Sequence, residues 1–141
     1  MSLIVQKYGG TSVGSVERIE AVADKIAAFC EKGHEVVVAV SAMSGETNRL
    51  INLAQEVNDN PNRRELDVLL STGEQVSISL LCMALNKRDI QAKSYTGHQV
   101  RILTDNAFGK ARIKDIDSKK IFADLKACLL YTSPSPRDGL L

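Results

Sequence analysis

Between Leu3 and Val40 the chain reads as strand, turn, helix and strand with almost nothing left over, and this order constrains the fold more than any other feature. Leu3 to Tyr8 is a short apolar strand, closed by the turn Gly9-Gly10-Thr11-Ser12. Ser15 then serves as a helix N-cap, and Val16, Ile19, Val22, Ala23, Ile26, Ala27 and Cys30 recur at helical spacing, which makes one apolar stripe. Lys32 stands in the last turn, and Gly33 is placed to end the helix. Val36 to Val40 is a continuous, β-branched run, the pattern of a strand buried on both faces. Two strands joined through a helix by short connections form a βαβ unit, so the sheet is expected to be parallel and the crossover right-handed.

The pattern continues with a helix starting at Glu46 or Thr47 and running to Val57, then a loop at Asn58-Asp59-Asn60-Pro61-Asn62. Arg64 to Leu70 reads helical. Ser71-Thr72-Gly73-Glu74 is expected to interrupt it and open another helix, because Ser71 and Glu74 have capping-box spacing. That helix, Gln75 to Asn86, is apolar on most sides and should be largely buried. Gln91 to Tyr95 reads as a third strand closed by Thr96-Gly97-His98. Two short strands flank Ala107-Phe108-Gly109, and Asp117 or Ser118 caps a last helix, Lys119 to Lys126. After Ala127 the texture changes: residues 128–141 carry neither strand alternation nor a helical stripe, and hold two of the chain's three prolines. They are expected to be a tail, either disordered or a non-native end left by a frame error or read-through, with residues 1–127 forming the domain. An unfinished sheet edge and exposed apolar faces are expected with it.

Composition narrows the function classes. The 141 residues suit one domain, with 44% hydrophobic and 25% charged residues. The net charge of +1, from 18 basic and 17 acidic residues, offers no basic excess to draw the chain to nucleic acid or an anionic membrane. The apolar runs fall short of the roughly 20 residues of a membrane span. The N-terminus enters a strand without a charged and apolar leader, so a cytoplasmic protein is expected. Cys30, Cys82 and Cys128 are widely spaced and read as buried free thiols, and His34 and His98 lack the partners of a zinc site.

In an open α/β sheet, ligands gather at the carboxyl ends of the strands. Three such ends are small and polar: Gly9-Gly10-Thr11-Ser12, Ser41-Ala42-Met43-Ser44-Gly45 and Thr96-Gly97-His98. Each could be a tight connection. Together they resemble what a phosphate requires, namely backbone N–H groups at helix N-termini, hydroxyl donors and little side-chain bulk. Lys7 stands before the glycines, near the end of an apolar strand. It either snorkels off the strand end or holds a point charge over a transferring phosphoryl group. A Walker loop is excluded because its lysine follows the glycines, and Gly9, Gly10 and Gly14 do not fit a dinucleotide fingerprint. Glu74 either completes a capping box or grips a cationic group of a substrate.

Lys7-Tyr8-Gly9-Gly10-Thr11-Ser12-Val13, Ser41-Ala42-Met43-Ser44-Gly45 and Ser71-Thr72-Gly73-Glu74-Gln75-Val76-Ser77, in this order, resemble the amino-terminal part of bacterial aspartate kinases. The resemblance runs from about residue 2 to residue 127 and implies the amino-acid kinase fold, an α/β architecture in which an αβα sandwich surrounds a mainly parallel sheet, here incomplete. It implies transfer of the γ-phosphoryl of ATP, carried with Mg2+, to the side-chain carboxylate of L-aspartate. The product, 4-phospho-L-aspartate, leads toward lysine, threonine and methionine. By position, Lys7, Tyr8, Gly9 and Gly10 correspond to ATP contacts, with Lys7 the catalytic charge. Thr11, Ser12, Ser41, Thr47 and Glu74 correspond to the aspartate side, with Glu74 on the α-amino group. No residue is assigned to a metal. The same resemblance implies a homo-oligomeric parent. The family's later segments, a Gly-rich arginine and aspartate motif, the adenine and ribose contacts and paired regulatory domains, have no counterpart in this sequence, so a fragment without activity of its own is expected. A kinase of the same fold acting on another carboxylate, carbamate or nucleoside monophosphate, and a non-catalytic nucleotide-binding fragment, are the alternatives.

Overall fold

The structure is a computed structural model that describes residues 2–126 and 130–134. Strand β1 (Leu3–Tyr8) leads through a 3₁₀ turn (Gly10–Val13) into α1 (Val16–Glu31), and β2 (Glu35–Val40) lies parallel to β1, pairing Leu3 with Glu35 through Tyr8 with Val40. The expected βαβ unit is present. Ser15 caps α1 by accepting from the Arg18 N–H, and Gly33 turns the chain out of the helix at φ 79°. Of the expected apolar stripe, Ile19, Val22, Ala23, Ile26 and Ala27 are buried, whereas Val16, in the first turn of α1, is 62% exposed.

α2 (Glu46–Val57) and α3 (Arg63–Asn86) follow. The break expected at Ser71-Thr72-Gly73-Glu74 does not occur: α3 is one helix of 24 residues. Instead of capping a new helix, Ser71 Oγ and Thr72 Oγ1 donate to the carbonyls of Val68 and Leu69, each at 2.7 Å. Such back-bonding lets hydroxyl residues stay inside a helix. Uninterrupted, α3 is long enough, and apolar enough over part of its length, to cross a membrane by length and composition alone. The chain packs it instead as a core helix that buries Asp67 and Glu74 among its apolar residues.

β3 (Ala92–Ser94), the antiparallel hairpin β4 (Ile102–Thr104) and β5 (Ile113–Ile116), and α4 (Lys119–Lys126) stand where the pattern placed them. The hairpin tip docks on α3, where the buried Asp67 carboxylate accepts from the Gly109 N–H at 3.0 Å. The expected disordered tail needs a correction in one stretch. Leu130–Pro134 form β6, which lies parallel between β2 and β3 and gives the sheet order β1-β2-β6-β3. A slot flanked by two strands offers hydrogen-bond partners on both sides, which offsets weak local propensity. Cys128 and the remainder of that tail lie outside the described residues.

One face of the sheet is covered by α1 and α3: Val36, Val38 and Val40 pack with Ile19, Ile26, Ile78, Leu81 and Leu85. On the other face Val37 meets a smaller cluster of Tyr95, Val100 and Leu125, so β2 is buried on one face and half-buried on the other. The Tyr95 hydroxyl bonds to the Asp124 carboxylate and ties α4 to the end of β3. α1 and α3 are clamped by Arg88, which reaches Asp24 at 2.7 Å and Glu20 at 2.6 Å.

Two outcomes are expected from this packing. β1 is an edge strand whose outer face exposes Leu3 and Val5, so sizing of the isolated chain should show association that grows with concentration across the micromolar range. The Arg88 hydrogen bond holds the Glu20 carboxyl below the usual glutamate range. That contribution is present above the ordinary pKa of about 4.3 and lost as pH falls through the lower folded value. Arg88→Met should therefore lower the urea midpoint at pH 7, and the gap from the parent chain should narrow at pH 3.

Candidate functional site at the carboxyl edge of the sheet

β1, β2, β6 and β3 all run parallel, so their carboxyl ends share one edge. The first two turns on that edge are joined by backbone: the Ser41 N–H donates to the Tyr8 carbonyl at 3.0 Å, one residue beyond the strand ladder. Gly9 precedes the 3₁₀ turn with an extended backbone, and the Ser12 N–H returns to its carbonyl at 2.9 Å. Gly10 lies so close to the second turn that a Cβ on it would stand 2.8 Å from the Ala42 carbonyl oxygen. Gly14 is nearly as confined, with the Gly10 oxygen and Ser44 Cβ each 3.3 Å from an added Cβ.

Lys7 pairs with Ala39 and leaves the strand on the face opposite α1 and α3, where it is exposed beside Leu3 and Val5. Among the described residues it forms no ion pair. Tyr8 is half-buried on the inner face, its hydroxyl donating to Gln6 Oε1 at 3.0 Å, and burial raises its pKa. Thr11 is exposed on the turn and Ser12 partly so. Ser41 is buried, at 8% exposure. Thr47 is half-buried in the first turn of α2, which Gly45 opens from a left-handed conformation at φ 83°. Glu46 in the same turn pairs with Arg49 at 2.7 Å, which lowers its pKa.

Glu74 is 1% exposed. The capping-box reading of Glu74 fails, because the residue sits in the middle of α3 rather than in the first turn of a new helix. The structure thus brings the first two turns together and sets α3 against them through Gly73, whose added Cβ would lie 3.0 Å from Ala42 Cβ and 3.4 Å from Glu46 Cγ. Lys7 and Glu74 depart from opposite sides of the sheet, since Glu74 shares the helix stripe of Ile78 and Leu81.

Residues 2–128 match the amino acid kinase family. The chain belongs to this family. Among curated relatives, this amino acid kinase chain is 67% identical over 127 residues to an aspartokinase of Pseudomonas aeruginosa and 55% identical over 124 residues to aspartokinase 2 of Bacillus subtilis. Those matches take in 90% and 88% of the chain but 31% and 30% of the relatives, so the chain spans under a third of their length. Among solved structures, the aspartate kinase of Synechocystis superposes with a TM-score of 0.76 at 46% identity, over 93% of this chain and 21% of that one. Aspartokinase III of E. coli in complex with aspartate and ADP gives a TM-score of 0.79 over 94% of this chain and 41% of that one, and at 22% identity this is a likeness of fold.

Residue pattern does not single out Ala42 and Gly73 as the packing contact at this edge. The available signal was their size: both are small at positions flanking polar turns, and Gly73 stands inside a helical run where glycine is unfavourable. The left-handed Gly45 has a different reason to be glycine, since its added Cβ would meet nothing within 4 Å. Gly45→Ala should therefore cost about 1–2 kcal/mol through backbone strain alone, measured as a shift in urea-unfolding free energy.

Proposed function

We propose that this chain is the part of an aspartate kinase that holds the phosphates of ATP and one side of the aspartate site. The reading rests chiefly on the 67% identity over 127 residues to the P. aeruginosa aspartokinase, together with the lysine and glycine turn at the ligand-binding edge of the sheet. The N–H groups of the turn after Gly9 and Gly10 are donors for phosphate oxygens, and Lys7, exposed at the end of its strand, supplies the charge that meets the transferring group. Tyr8 supports the turn from below. Thr11, Ser12, Ser41 and Thr47 present hydroxyls toward aspartate, and Glu74 takes its α-amino group.

In this reaction an oxygen of the aspartate side-chain carboxylate forms a bond to the γ-phosphorus of ATP. The bond from that phosphorus to the bridging oxygen breaks, and ADP leaves with the electron pair. A carboxylate is already ionised at neutral pH, so no general base is required. The protein's task is positioning and charge stabilisation. Among the described residues no three His, Cys, Asp or Glu side chains gather as a metal site. In this reading magnesium enters with ATP, as part of the substrate. A cytoplasmic, homo-oligomeric parent accords with this biosynthetic role.

The test replaces the matching segment of the P. aeruginosa aspartokinase with residues 2–127 of this chain. The chimera should form ADP only with L-aspartate present, and Lys7→Ala in it should lower kcat by roughly a hundredfold or more. Preference for another carboxylate, a carbamate or a nucleoside monophosphate would overturn the assignment, as would a Lys7→Ala chimera with undiminished kcat. The 141-residue chain alone should show no aspartate-dependent ADP formation above background.

A further inference from the structure

Gly10 and Gly73 lie 63 residues apart, yet each is confined by Ala42, a residue only 5% exposed. A Cβ on Gly10 would stand 2.8 Å from the Ala42 carbonyl oxygen, and one on Gly73 would stand 3.0 Å from the Ala42 methyl. Neither glycine has a positive φ, and Gly73 is inside α3, where glycine is disfavoured. Backbone conformation therefore requires glycine at neither position. Space is short at both: a Cβ would overlap at Gly10, and at Gly73 the neighbour would have to give by a few tenths of an ångström.

We propose that Ala42 is a steric hub that fixes the separation between the Gly9–Val13 turn and the α3 helix carrying Glu74, and that Gly10, Ala42 and Gly73 are positioning residues for the site. The turn rests on the backbone of Ala42, and α3 rests on its side chain. Because protein interiors are packed near crystal density, a displacement at one contact passes to the other rather than being absorbed. Gly73 also faces the start of α2, since Glu46 Cγ and Leu50 Cδ1 lie 3.4 and 3.6 Å from the position of a Gly73 Cβ. The first turn and α3 thus both bear on Ala42, and α3 meets the start of α2 at Gly73. The ligand-binding consequence rests on the reading of the turn as a nucleotide site; the mechanical coupling does not.

The asymmetry of the two contacts supplies the test. Ala42→Gly removes the methyl that a Gly73→Ala side chain would strike, but keeps the carbonyl oxygen that a Gly10→Ala side chain would strike. The 141-residue chain and the variants Gly73→Ala, Gly10→Ala and Ala42→Gly, with each glycine variant also paired with Ala42→Gly, are compared by amide exchange at Ser12 and by calorimetric titration with ADP. Ser12 reports on the turn through its bond to the Gly9 carbonyl, and Gly73 does not touch it. Gly73→Ala should speed Ser12 exchange and weaken ADP binding by roughly 5- to 30-fold, and adding Ala42→Gly should return both to the level of Ala42→Gly alone. Gly10→Ala should do at least as much damage, with no rescue.

Unchanged Ser12 exchange in Gly73→Ala would overturn the proposal, as would equal rescue of both glycine variants. If Gly73→Ala does not fold, a folded double variant with Ala42→Gly supports the hub and an unfolded one overturns it. A parent chain that binds no ADP would instead count against the nucleotide reading, and Ser12 exchange would then decide the hub alone.

Discussion

The Ser41 N–H meets the Tyr8 carbonyl at 3.0 Å, and the carboxyl edge is built outward from that bond. It extends the parallel ladder of β1 and β2 past the last paired residues, Tyr8 and Val40, so both chains enter their turns at the same level. Only in that register can Gly10 sit against the Ala42 carbonyl. The same register sorts the side chains. Val36, Val38 and Val40 enter the core, while Lys7 and Ala39 face the other way. A slip of one residue would turn the lysine inward, where an unpaired ammonium is costly, and move valines out of the core.

Much of the fold was legible because local and tertiary preferences agree. α1 has a serine cap, an apolar stripe and a left-handed glycine at its end, and each device appears in the structure. α3 shows what happens when they disagree. Ser71-Thr72-Gly73 looks like an interruption because hydroxyls and glycine favour turns. In the fold the hydroxyls bond back to carbonyls in the preceding turn, and the glycine answers to Ala42 in a distant loop. No local pattern encodes a contact over that separation. β6 is similar: Leu130–Pro134 carries no strand alternation, and its place between β2 and β3 is set by the gap those strands leave.

The candidate site divides the same way. The turn after β1 was readable, because two glycines between a strand and a capped helix mark where the chain can turn tightly. The positions of Ser41 and Thr47 at the second turn followed from the second strand end. The setting of Glu74 did not, since its place depends on whether α3 is broken, and an unbroken helix turns it into the interior at 1% exposure. The family match does not remove that distinction. It says which fold the sequence adopts, whereas the burial of Glu74 and the outward course of Lys7 come from packing and register.

The outer face of β1 carries two roles that pull against each other. Along it, exposure runs through Leu3 at 46% and Val5 at 70% to Lys7, so the surface grades from apolar to cationic toward the carboxyl edge of the sheet. An exposed lysine needs no buried counter-charge and remains able to meet a phosphate. The apolar half of the strand gains from being covered, at roughly 25 cal/mol for each Å² removed from water. Whatever covers Leu3 and Val5 must therefore stop short of Lys7 or wall it without closing it off. That places the boundary of any covering layer between Val5 and Lys7, one side-chain step along the strand face, so stability gained on this face is tied directly to access to Lys7.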